Sequence, residues 1–180
     1  FLPVRDYVDS GIWTVRLIPQ RIVTGRYDMW FPAGGVLNEG TGFLLPREET
    51  TLTIPSTAAK VITVGAYDAR FGQLAGFSGR GFTGNGQVKP DLAAPGVEIT
   101  SCAPGGSYTA RSGTSMATPF VMEWGIVRGN DAYLYGEKIR AYLIRGARPL
   151  GGGRASGLLQ EYPNPQVGWG TLCLSDSLPE

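Results

Sequence analysis

Ser115 stands in the run SGTSMATP, Ser112 to Pro119, and that run is where this 180-residue chain could do chemistry. Gly113 and Thr114 form a turn into Ser115, and the Met116-Ala117-Thr118 run lets a helix begin at once. Ser115 is thereby predicted at a helix N-terminus, where free backbone N–H groups and the positive end of the macrodipole favour negative charge. An acyl-transfer nucleophile gains from that place, because backbone donors stabilise the oxyanion of its tetrahedral intermediate. The plainer reading makes Thr114 or Ser115 a helix cap, a role both residue types fill routinely. A nucleophilic serine also needs a base to take its proton, and the chain contains no histidine.

The same lack of histidine, with no close pair of cysteines, removes a zinc site from consideration. Asp68 and Asp91 stand apart from other carboxylates, which suits holding a loop better than supplying the clustered oxygens that calcium needs. Neither a metal nor a cofactor is expected. Cys102 and Cys173 fit a disulfide, two thiols or simple packing.

The surroundings of Ser115 carry more. Upstream runs KPDLAAPGVEITSCAPGGSYTARSG, Lys89 to Gly113, with Pro90, Asp91, Ala94, Pro95, Gly96, Ile99, Ser101, Pro104, Gly105, Gly106 and Tyr108 as marked positions. Further back stand TAAKVITVGAYD at Thr57 to Asp68 and a Phe77-Ser78-x-x-Gly81 loop, and YPNPQVGWG closes the pattern at Tyr162 to Gly170. These segments resemble the nucleophile-bearing part of the subtilisin-like serine peptidases. The segment GRYDMWFPAGGVLNEGTGFLLPREETTLTIPSTA resembles subtilases of clostridia that carry a β-rich, jelly-roll-like insertion.

The resemblance implies that Ser115 is the catalytic nucleophile, with Gly113, Thr114 and Met116 supporting it as oxyanion and motif residues. It also implies a triad Asp in a D-T/S-G strand end, a His in an H-G-T helix start and an oxyanion Asn, all N-terminal to Ser115. No H-G-T occurs here, and the one D-S-G run, Asp9 to Gly11, lies in the part read as the β-rich insertion. Asn38 in VLNEG superficially matches the family's Asn motif. Val36 and Leu37 replace the small residues found there, and Asn38 is read as a turn residue beside Gly40. After Pro119 the run Phe120-Val121 leads almost directly into Met122-Glu123-Trp124-Gly125, so the helix after Ser115 is expected to be about two turns shorter than the family's.

The elements that must position Ser115 divide the chain in two. Residues 1–54 are expected to be the remainder of an inserted β-rich domain, with strands where Ile12, Thr14 and Arg16 alternate with Trp13, Val15 and Leu17, then at RYDMWF and at TLTI. Residues 55–180 are expected to be the C-terminal part of an α/β, three-layer subtilisin-like fold with a mostly parallel sheet. Val61 to Val64 and Val97 to Thr100 are its predicted buried strands. One helix follows Ser115 and another spans about Tyr135 to Arg145, with Ile139, Tyr142 and Leu143 inward and Lys138, Arg140 and Arg145 outward. Trp124 and Trp169 are assigned to the core.

Composition fits an ordinary globular domain, with 42% hydrophobic residues. A formal charge of +1 gives no reason to expect nucleic acid, and no run reaches the length of a membrane span. The expected partners are a polypeptide substrate and the N-terminal part of the same peptidase. Phe1 in place of methionine and the lack of a signal peptide suggest a fragment or processed product. The resemblance places such proteins outside the cytoplasm or in the spore or cell envelope. The alternative to a peptidase is a pseudoprotease, or a protein-binding module derived from one.

Overall fold

A computed structural model describes residues 9–32, 37–128, 136–151 and 161–178. The chain divides into two compact units, Phe1–Gly40 and Thr41–Glu180.

In the first unit the described residues form neither helix nor strand. Ile12, Trp13, Val15, Leu17 and Ile18 are all well exposed. The strands expected at Ile12 to Leu17 and at RYDMWF are therefore not formed. Alternating side chains make a strand only when a neighbour takes its backbone hydrogen bonds and a face is covered, and neither occurs among the described residues. Asn38 precedes the turn at Glu39 and Gly40, where Gly40 adopts φ 82°, as its turn reading required.

Among the described residues the regular elements all lie in the second unit: β1 (Val64–Asp68), β2 (Gln73–Leu74), β3 (Leu92–Pro95), β4 (Ile99–Ala103), β5 (Ser107–Arg111), α1 (Thr114–Arg128) and α2 (Glu137–Arg145). TLTI, also expected as a strand, is not one. The Thr50 and Thr51 N–H groups instead donate to the Gly81 and Arg80 carbonyls at 3.2 and 2.8 Å, and the Arg80 N–H returns to the Thr51 hydroxyl at 2.9 Å, without forming a ladder. The larger sheet runs in the order β2-β1-β3, with β1 parallel to β3 in the register Val64 to Leu92 and Ala66 to Ala94. The chain is thus α/β, with a parallel pair at the heart of its sheet.

Two strand predictions shift for local reasons. Val61 to Val64 lies mostly before β1, because the Thr63 N–H is taken by the Asp91 carboxylate and not by a backbone carbonyl. Val97 to Thr100 gives way to β4, an exposed antiparallel partner of β5 and not a buried parallel strand. The turn Pro104-Gly105-Gly106 causes this. Gly105 and Gly106 adopt φ 81° and 74°, the left-handed region that a tight reversal needs and that side chains resist.

The core is built from small side chains: Ala66, Ala75, Leu92, Ala94, Ala117, Val121 and Leu143 are buried together. Alanines at facing positions let α1 lie close against β1 and β3. The helix runs fifteen residues, through Gly125 to Arg128, so the altered sequence after Pro119 does not end it. The side chain of Trp124 lies outside the described residues. Helix α2 buries Leu143 and packs Ile139 and Tyr142 against the same core. Arg140 does not face solvent as predicted. Its Nε donates to Asp91 Oδ1 at 2.5 Å, because a buried carboxylate lies within its reach. Trp169, assigned to the core, is 39% exposed. Its backbone N–H is held by the Asp91 carbonyl at 3.0 Å, and the ring is left outside.

Candidate active site

The loop before α1 is fixed by two glycines. The Gly96 carbonyl accepts the Gly113 N–H at 2.8 Å, which ties the end of β3 to the start of the helix. The Gly113 carbonyl then accepts from the N–H groups of Met116 and Ala117, at 3.0 and 3.3 Å, and so opens α1. Gly113 therefore occupies the capping position, where it has no side chain to offer. Thr114 and Ser115 are the first two helical residues, and the reading of either as a mere cap is not what the geometry gives.

Ser115 is exposed, while Gly113, Thr114 and Met116 around it are half-buried. Among the described residues, neither the Thr114 N–H nor the Ser115 N–H has an acceptor, and the Ser115 hydroxyl has no hydrogen-bond partner. These are the free donors of a helix N-terminus, directed where a developing anion would lie. Met116 folds back over the turn, with its sulfur 3.4 Å from where a side chain on Gly113 would begin. Pro119 has no N–H to give the Ser115 carbonyl, four residues earlier, so the first turn of α1 is under-bonded on both sides of Ser115.

The supporting carboxylates hold loops, as their isolation in the sequence implied. Asp68 receives Arg70 through Nε at 3.1 Å and through a terminal guanidinium nitrogen at 2.8 Å. The Arg70 guanidinium holds the Asp68 carboxyl below its ordinary range. Asp91 receives the Thr63 N–H and Lys89 Nζ on Oδ2, each at 2.7 Å. Both cysteines are free thiols, Cys102 exposed and Cys173 half-buried. Among the described residues no three potential metal ligands come together.

Three features were not legible in the chain. Ser78 Oγ accepts the buried Ala66 N–H at 3.0 Å and so closes the unpaired stretch of β1. Arg140 reaches Asp91, 49 positions earlier in the chain. Two open clefts, of about 280 and 460 Å³, share Arg80 as a lining residue, and neither is lined by any residue from Gly113 to Met116. The Lys89-Pro90-Asp91 spacing within an apolar stretch was the one available signal for the buried ion pair. Ser78 stood in the marked Phe77-Ser78-x-x-Gly81 loop, but nothing in the sequence tied it to Ala66, and nothing marked the clefts.

An α/β sheet that delivers an exposed serine to the mouth of a helix is the scaffold class of serine peptidases that set their nucleophile on a helix N-terminus. The chain belongs to the Subtilase family, whose profile matches residues 44–170. Among similar proteins, subtilisin amylosacchariticus of Bacillus subtilis subsp. amylosacchariticus is 40% identical over 112 residues, 62% of this chain and 26% of that one. Serine protease AprX of Bacillus subtilis (strain 168) is 39% identical over 40% of this chain and 21% of its own length. The solved structure of the Clostridium perfringens CspB protease superposes with a TM-score of 0.67 at 43% identity, covering 79% of this chain and 30% of that one. The chain thus spans between about a fifth and a third of the length of these relatives.

Proposed function

We propose that this chain is the nucleophile-bearing C-terminal portion of a subtilisin-like serine endopeptidase, with Ser115 as nucleophile. The observation that carries the reading is the exposed Ser115 hydroxyl on the first turn of α1, beside its own unengaged N–H. In the assembled enzyme Ser115 Oγ attacks the scissile carbonyl of an extended polypeptide. A histidine from the N-terminal part of the same peptidase takes the proton and returns it to the leaving amine, and an aspartate orients the imidazole. The Ser115 N–H supplies one oxyanion donor and an asparagine of that other part the second. Gly113, Thr114 and Met116 keep the helix mouth in place. In this reading residues 55–180 complete a three-layer fold and residues 1–54 are the end of an inserted β-rich domain. The extracellular or spore-envelope setting rests on the family resemblance alone.

The chain by itself is inactive in this reading, because it contains no histidine. The test joins it to a segment carrying the D-T/S-G, H-G-T and Asn motifs, taken from the reading frame upstream of Phe1 or from the Clostridium perfringens protease. The assembly is then treated with a fluorophosphonate. Labelling of the assembly at Ser115, none of the chain alone and none in Ser115→Ala supports the proposal. An unlabelled, well-folded assembly favours the second reading, a pseudoprotease or binding module, which the lack of histidine also permits.

A further inference from the structure

The most deeply buried ion pair among the described residues lies outside the chemistry assigned so far. The side chains of Asp91 and Lys89 are 0% and 2% exposed. Asp91 Oδ2 accepts from Lys89 Nζ and from the Thr63 N–H, Asp91 Oδ1 accepts from Arg140 Nε, and Lys89 Nζ also donates to the Val61 carbonyl at 2.5 Å. Taking a carboxylate and an ammonium out of water is costly. Such a set adds little stability over packed apolar residues, and its best-attested use is to fix one arrangement among several.

What this set fixes can be followed along the backbone. Asp91 immediately precedes β3. Its N–H donates to the Thr63 carbonyl at 2.8 Å, which sets the register of β3 on β1. At the other end of β3, Gly96 donates to the Tyr67 carbonyl at 3.0 Å and accepts from Gly113 at 2.8 Å. A side chain on Gly96 would begin 2.7 Å from Ala66 Cβ and 2.9 Å from the Gly113 carbonyl, so no slack remains there. Ser115 follows two residues after Gly113. Meanwhile Arg140 brings α2 onto the same carboxylate.

We infer that Asp91 is a positioning residue for Ser115. Locked between Lys89, Arg140 and the Thr63 N–H, it sets β3, and β3 sets the start of α1 through the Gly96–Gly113 hydrogen bond. The inference rests on Ser115 being the nucleophile, and the mechanical link is testable without that.

Amide hydrogen exchange on the 180-residue chain reads the link, because loss of global stability speeds all protected amides alike while a local release speeds only some. In Asp91→Asn the Gly96 and Gly113 amides are expected to exchange at least tenfold faster, with the Val121 amide in α1 unchanged. Arg140→Met should give the same pattern, and Arg140→Lys should restore it in part. These two variants decide the matter if Asp91→Asn does not fold. In the assembled peptidase, Asp91→Asn should lower kcat tenfold or more with KM within twofold. Uniform acceleration of all amides, no acceleration at Gly113, or an unchanged kcat would overturn the inference. An assembly inactive with Asp91 intact counts against the peptidase reading instead, and leaves the exchange result standing.

Discussion

The Gly113 N–H donates to the Gly96 carbonyl at 2.8 Å, and Gly96 has no room for a side chain: a methyl there would meet Ala66 Cβ, the Gly113 carbonyl and Ala117 Cβ at 2.7, 2.9 and 3.3 Å. All three neighbours belong to backbone or to packed alanines and cannot swing aside. Gly96→Ala should therefore destabilise the chain by about 1–3 kcal/mol or more through overpacking. Gly76→Ala, where nothing lies within 4 Å, is the control and should leave the melting temperature nearly unchanged.

Ser78→Ala removes the hydroxyl that accepts the Ala66 N–H, a group in the buried part of β1. A buried donor left unsatisfied costs about 1–3 kcal/mol. A urea titration should show a lowered midpoint with an unchanged slope. An equal midpoint would mean that the donor finds another acceptor.

Acid sensitivity follows from two surface pairs. The guanidinium of Arg148 holds the Asp176 carboxyl below its ordinary value, with Nε 2.6 Å from Oδ2, and Arg70 does the same for Asp68. A carboxyl whose folded pKa is lowered contributes stability that is present above its unfolded value, near 4, and lost as pH falls through the folded one. Asp176→Asn should thus flatten the decline of melting temperature below about pH 4. The effect should shrink in high salt, since Arg148 and Asp176 are both exposed.

Tyr67 gives the opposite edge. Burial raises its pKa, and the charge of Cys173 adds to the shift. A phenol raised in the folded state contributes stability that is complete below its unfolded value, about 10, and lost as pH rises through the folded value. Tyr67→Phe should lose less stability than the parent as pH rises above about 10. A parallel fall in both proteins would remove Tyr67 from the account.

Ser115→Ala should change stability by less than about 0.5 kcal/mol, because its hydroxyl is exposed and has no hydrogen-bond partner among the described residues. In the assembled peptidase the same substitution should lower kcat by on the order of a thousandfold or more. Circular dichroism melts and peptide hydrolysis read the two effects separately.

What the sequence revealed, and what it hid, divides along the range of the interactions. The helix start at Ser115, the stripe Ile139, Tyr142 and Leu143, and the loop-holding role of Asp68 rest on neighbours a few residues apart, and all stand in the structure. The motif residues from Lys89 to Gly113 pointed to the subtilase family, which the profile match shows. The strands before Ile54 were misjudged because alternation records only what a strand would bury, not whether a partner is there. Arg140 was misjudged in the same way. Helical periodicity placed it on the outer face, while Asp91, 49 positions earlier, waits at that face. Ser78 closing β1 is a contact between two segments that nothing local connects.

The second edge of β3 is braced late. Ala93 donates its N–H to Gly170 and accepts from Leu172, both at 2.8 Å, so the strand that carries Ser115 into place is flanked on that side by nearly the last described residues of the chain. A ribosome therefore releases the serine well before it releases the residues that seat it. Until those residues emerge β3 has β1 beside it but lacks this second brace, and a truncation ahead of Gly170 leaves the strand in that half-framed condition for good.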